Sequence, residues 1–116
     1  MDHEVSWDDD NGCVRLTLRG QIEAEHARAL MAAAEQLFEG KTRRLLLIDH
    51  RQSPQALPPE TREVFQTRSY PLEKLSFFGM GHITRIAARI AVAIAGHSDH
   101  SRFFETEAEA LAWLHE

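Results

Sequence analysis

Apolar positions along the chain alternate, then coil, then alternate again. Val5 and Trp7 are interleaved with Glu4 and Ser6, and Val14, Leu16 and Leu18 with Arg15, Thr17 and Arg19. A period of two puts one side of each stretch in a core and the other in water, the mark of half-buried strands. Between them, Asp8-Asp9-Asp10-Asn11-Gly12 is turn material, since Asn-Gly takes positive φ at little cost. An antiparallel hairpin is predicted. From about Glu23 the period lengthens: Ala27, Leu30, Met31, Ala34, Leu37 and Phe38 recur at three- and four-residue steps, one stripe of an amphipathic helix. Glu23 and Glu25 sit in its first turn, where the helix dipole favours negative charge, and Gly40 offers a stop.

Leu45-Leu46-Leu47-Ile48 is apolar without alternation, bounded by Arg43-Arg44 and Asp49. So short a run predicts a strand covered on both faces, as central parallel strands are. A polar loop from His50 to Leu57 leads to Pro58-Pro59 and Glu60, a favourable first helical turn. Val64, Phe65 and Arg68 continue that helix until Tyr70-Pro71. Ser76 to Met80 predicts a second buried strand, and Gly81-His82 opens a helix whose apolar positions Ile83, Ile86, Ala87, Ile90 and Ile94 run to Gly96. After a His97–His100 turn, Arg102-Phe103-Phe104 is a last short strand. Thr106 with Glu109 is a capping box for a final helix through Leu111, Trp113 and Leu114. The order ββαβαβαβα predicts an α/β fold: one domain over 1–116, a mostly parallel sheet of about five short strands with an N-terminal antiparallel hairpin, and about four helices.

Composition narrows the function classes. With 116 residues, 43% of them apolar and 27% charged, the chain is long and apolar enough to fold alone. A net charge of −5 argues against nucleic acid as a partner, because phosphate backbones are held by many basic contacts. The lone Cys13 excludes an intrachain disulfide and a cysteine-only zinc site. The longest apolar stretch, Ile90 to Ala95, is far short of a bilayer span, and the polar opening Met1-Asp2-His3-Glu4 lacks the pattern of a signal peptide. A cytoplasmic domain without a transmembrane segment is expected; association with a membrane surface is compatible with that.

Ligands of open α/β sheets gather where strands end and helices begin. The loops after Ile48 and after the Ser76–Met80 strand carry most of the convergent polar chemistry: Asp49, His50, Arg51, Ser53, His82, Thr84 and Arg85. If their strands are neighbours, an anion would meet backbone N–H groups near Gly81 and His82 and the Arg85 guanidinium. Ligand-binding residues are therefore placed at Asp49, Arg51, Ser53, His82, Thr84 and Arg85. Gly79-Met80-Gly81 lacks the third glycine of a dinucleotide fingerprint and reads as a tight strand-to-helix turn. The two histidines and aspartate of His97–His100 lack the further ligands of a zinc site, so no metal or other cofactor is expected. Asp49, Ser53 and His82 spell a hydrolytic or acid–base triad on paper, but Ser53, between Gln52 and Pro54, has no nucleophile elbow. A third reading, a partner surface on the Pro59–Tyr70 helix, requires an exposed apolar patch around Phe65 and Tyr70.

Three segments in this order resemble the STAS superfamily, in its SpoIIAA-like (anti-sigma-factor-antagonist-like) branch. They are Leu18-Arg19-Gly20 before the first helix, Arg43-Arg44-Leu45-Leu46-Leu47-Ile48-Asp49, and the closing Arg102-Phe103-Phe104-Glu105-Thr106 with Ala110-Leu111-Ala112-Trp113-Leu114. The resemblance implies a non-enzymatic regulatory module acting on a protein partner or a small anionic or amphipathic ligand, as a monomer or homodimer. Founding members of that fold carry a phosphorylated serine in an Asp-Ser-Ser/Thr-Gly segment after the central strand. The corresponding Asp49-His50-Arg51-Gln52-Ser53-Pro54 keeps only the aspartate, which argues against a phosphoserine switch at Ser53. A likeness in shape to CRAL-TRIO lipid carriers implies an apolar ligand between helices and sheet, with the Ile83–Ala95 helix as its lining.

Overall fold

The structure, a computed structural model, describes residues 3–53, 57–66, 72–82, 85, 86, 88, 89 and 100–116. Five strands form one sheet in the order of the chain: β1 (Glu4–Asp8), β2 (Cys13–Arg19), β3 (Leu45–Gln52), β4 (Lys74–Phe78) and β5 (Ser101–Phe104). β1 pairs antiparallel with β2 through the hairpin, and β2, β3, β4 and β5 pair in parallel. Gly12 supplies the positive φ that closes the hairpin turn. Three helices are bounded among the described residues: α1 (Ala24–Phe38), α2 (Pro59–Gln66) and α3 (Glu107–Leu114). The helix expected from Ile83 is described only in part; His82, Arg85, Ile86, Ala88 and Arg89 are helical, and its later residues lie outside the described residues.

Strands laid down in one direction by right-handed crossovers put their crossover helices on a single face. Accordingly Val14, Leu16, Leu18, Leu46, Ile48, Leu75, Phe77 and Phe103 bury against Ala27, Leu30, Met31, Ala34 and Phe38 of α1 and Phe65 of α2. The chain leaves β5 on the other side, where Ala110, Trp113 and Leu114 of α3 cover Cys13, Leu45, Leu47 and Phe78. The run Leu45-Leu46-Leu47-Ile48 thus alternates between two cores, each residue at 1% exposure or less. The lack of alternation in that tetrapeptide has this cause.

Thr106 caps α3, its hydroxyl accepting from the Glu109 N–H at 3.3 Å and donating to the Glu109 carboxylate at 2.9 Å. Arg15 joins the hairpin to the same helix by pairing with Asp8 at 3.2 Å and with Glu107. Two expectations move. β3 runs on to Gln52, so Asp49, His50 and Arg51 are strand residues and not loop; Asp49 sits in register with Thr17 and Phe78, and the Arg51 guanidinium compensates its charge. β4 starts two residues earlier than the apolar run indicated and stops at Phe78, where Gly79 turns to φ +87°. Phe65 is a core residue at 7% exposure, which removes it from any exposed patch on α2; Arg68 and Tyr70 lie outside the described residues.

Candidate functional site

The C-terminal ends of β2, β3 and β4 form one rim, tied together by short polar links. Gly20 N–H donates to Gln52 O at 2.7 Å, and Ser53 Oγ donates back to Gly20 O at 2.6 Å. At Gly79 a Cβ would lie 2.6 Å from Arg51 Cγ and 2.8 Å from Arg51 N, so only glycine lets the β4 exit pass the end of β3. The segments after Ile48 and after β4 are therefore neighbours, as the reading of a common rim requires.

Strand alternation divides the candidate residues between the two faces. Asp49 and Arg51 point to the α3 side, where Arg51 lies over the Phe78 ring at 5.2 Å. Asp49 is 3% exposed and accepts the Arg51 backbone N–H at 2.9 Å, Nε at 3.1 Å and Nη2 at 2.8 Å. Burial pushes its carboxyl up, but the Arg51 hydrogen bonds outweigh this and hold it below the ordinary aspartate value. Arg51 itself is 60% exposed at the side chain, and its Nε also donates to the second Asp49 oxygen at 3.2 Å.

Ser53 is buried at 3% exposure, with its hydroxyl committed to the Gly20 carbonyl. His82 and Arg85 stand across the rim on the first helical turn after β4, where Arg85 N–H donates to Gly81 O at 2.9 Å. Arg85 Nη2 donates to His82 Nδ1 at 3.2 Å and to Glu105 at 3.4 Å. Thr84 lies outside the described residues. The three would-be catalytic groups thus each have a separate partner: Asp49 has Arg51, Ser53 has Gly20, His82 has Arg85. No hydrogen bond among the described residues joins these three into a nucleophile–base–orienter relay.

One residue that the sequence placed only in a polar loop has an unusual position. His50 points to the α1 and α2 side beside Phe77, at 0% exposure. Its Nδ1 lies 3.3 Å from Ser53 O; a carbonyl can only accept, so Nδ1 carries the proton. Nε2 is then a bare acceptor, buried with no partner among the described residues. Burial lowers its pKa to about 4, against the smaller opposing pull of Ser53 and Asp49. Nothing in the local sequence marks His50 as buried, because its burial depends on β3 continuing past Asp49. Cys13 is a core thiol, pushed up to about 11 by burial, which suits packing and not reactivity. No group of three potential metal ligands occurs among the described residues.

Comparison with solved structures identifies the architecture. A protein of the DUF3478 family from Shewanella loihica PV-4, with a SpoIIAA-like fold known at 2.25 Å resolution, superposes with a TM-score of 0.67. The two are 18% identical, and the match covers 97% of this chain and 91% of that one. The fold is SpoIIAA-like. No protein-family model and no curated protein matches the chain. At 18% identity the likeness speaks for the SpoIIAA-like scaffold alone, and any function must be argued from the rim that this scaffold presents. No helix among the described residues is long and apolar enough to cross a membrane.

Proposed function

We propose that this domain is a non-enzymatic regulatory module of STAS type, whose rim at the C-terminal ends of the strands binds an anionic group. That group is carried by a small amphipathic ligand or by a protein partner; a cytoplasmic setting belongs to the same proposal. The observation that carries the reading is the division of labour at the rim. The groups needed for hydrolysis are each engaged in a separate hydrogen bond, whereas the Arg51 side chain is 60% exposed and Arg85, at 13%, is screened by the exposed Glu105 carboxylate. Arg51 is mostly exposed and braced by Asp49, so its geometry is fixed before a ligand arrives. Arg85 is paired with Glu105, which is 75% exposed and exchangeable for a bound anion.

An apolar portion of the ligand has a place near the helix that carries Arg85, on the face of the sheet opposite to Arg51. Leu57, Val64, Met80 and Ala88 are only partly buried against the core on the α1 and α2 side.

Native mass spectrometry of freshly purified full chain, with thermal shifts against inorganic phosphate, a nucleotide and anionic phospholipid vesicles, tests the proposal. Stabilisation by phosphate alone identifies a free anion as the ligand; stabilisation only by vesicles identifies a lipid headgroup. Arg51→Ala and Arg85→Ala are each expected to abolish the shift. Absence of any retained molecule, with no shift in all three series, overturns the ligand form of the proposal. A shift that survives both substitutions overturns the placement.

A further inference from the structure

Three guanidiniums line one open groove of about 630 Å³ beside β5, a volume within the range of small-molecule sites. Arg85 and Arg89 stand one helical turn apart after β4, a spacing that puts both on one face, and Arg102 comes from the strand. Two carboxylates share the lining. Glu109 belongs to the cap of α3, where it accepts the Thr106 hydroxyl at 2.9 Å. Glu105 is held more loosely. It is 75% exposed, and Arg85 Nη2 reaches it only at 3.4 Å, near the long limit of a hydrogen bond. Arg89 is held no better, its Nη2 donating to the Phe103 carbonyl at 3.5 Å. Arg102 is exposed, with its guanidinium 5.5 Å from the centre of the Trp113 ring.

Building on the reading of Arg85 as an anion-binding group, we propose that this groove takes a small phosphate monoester, and that Glu105 is an internal anion that keeps its place until the ligand arrives. Glu105 brings one negative charge to Arg85. A phosphate monoester brings about −1.5 to −2 near neutral pH, with three acceptor oxygens. It can therefore accept from Arg85 and Arg89 together and still attract Arg102. Release of the exposed Glu105 carboxylate into water costs little, because an exposed ion pair contributes little.

The internal carboxylate also selects the ligand class. A ligand carboxylate would only exchange like for like at Arg85, whereas a phosphate gains charge and acceptors over the group it displaces. The groove is far larger than a phosphate group fills, and Phe104, half-buried in its wall, offers a ring to an apolar or aromatic ester group. A monoester is therefore favoured over free phosphate.

Isothermal titration calorimetry of the full chain with phenyl phosphate, benzoate and inorganic phosphate tests this. Phenyl phosphate is expected to bind at least about tenfold more tightly than benzoate, and more tightly than inorganic phosphate. Glu105→Gln removes the competitor and should tighten phenyl phosphate by about threefold. Arg89→Ala and Arg102→Gln, both at exposed positions, should each weaken it by about tenfold. Benzoate binding as tightly as phenyl phosphate overturns the ligand class, and an affinity that Glu105→Gln leaves unchanged or lowers overturns the role of Glu105. Binding lost in Arg85→Ala but indifferent to the Arg89, Arg102 and Glu105 substitutions overturns the groove and leaves the anion-binding rim standing. No binding of any of the three at millimolar concentration, in the natural chain and in Glu105→Gln alike, overturns both.

Discussion

His50 gives the domain a built-in sensitivity to acid. Its imidazole is neutral in the folded state down to about pH 4, whereas the unfolded chain takes up a proton near 6.5. Between those values the unfolded state binds more protons, so stability falls as the pH drops through that window. The full difference is on the order of 3 kcal/mol. Urea denaturation at pH 7 and at pH 4.5 should show this loss in the natural chain, and a smaller one in His50→Gln. Asp49 adds to the slope only at lower pH, because its folded pKa is depressed and its stabilisation is lost as pH falls below the ordinary aspartate value. Arg51→Ala removes the groups that hold that carboxyl down and leaves burial unopposed, so carboxyl NMR titration should show Asp49 titrating at higher pH than in the natural chain. At Gly79 the penalty is geometric. Gly79→Ala combines φ +87° with a Cβ against the Arg51 backbone, and a loss of roughly 1–3 kcal/mol or more is expected in the same denaturation assay.

Among the elements, β3 carries both cores, and its alternation is the reason. Leu47, at 0% exposure under α3, is expected to cost about 2–5 kcal/mol when changed to alanine, since a cavity remains against Trp113 and Leu114. Thr106→Ala should cost about 1 kcal/mol by uncapping α3, read as a lower melting temperature. These two elements were also the plainest in the sequence. The unbroken Leu45–Ile48 run stands out because neither of its faces meets solvent, and the Thr106/Glu109 pair is a purely local signal. α1 was legible for the same reason, its apolar stripe matching the residues buried at Ala27, Leu30, Met31, Ala34 and Phe38. The end of β3 was not legible. Asp49 and Arg51 look like loop residues until tertiary pairing places Asp49 opposite Thr17 and Phe78 and lets Arg51 neutralise it. Of the proposed site, the nearness of the β3 and β4 ends followed from βαβ order. The partner of each side chain did not, because Ser53–Gly20 and Arg85–Glu105 join residues far apart in the chain.

At the scale of the molecule, two cores of unequal depth share one sheet. The larger lies under α1 and α2, and the smaller, among the described residues, under α3. Amide exchange should therefore be slowest in β3, which both cores protect, and faster in β1 and β5, which each have one strand neighbour. This uneven cover has a consequence for biosynthesis. A chain emerging from the ribosome in the order of its strands can add each one beside the last, closing the α1 side early. Leu45, Leu47 and Phe78 must wait, bare and sticky, until Glu107–Leu114 has been made. A nascent domain stalled before that helix would be a natural client for a chaperone that grips exposed leucine and phenylalanine.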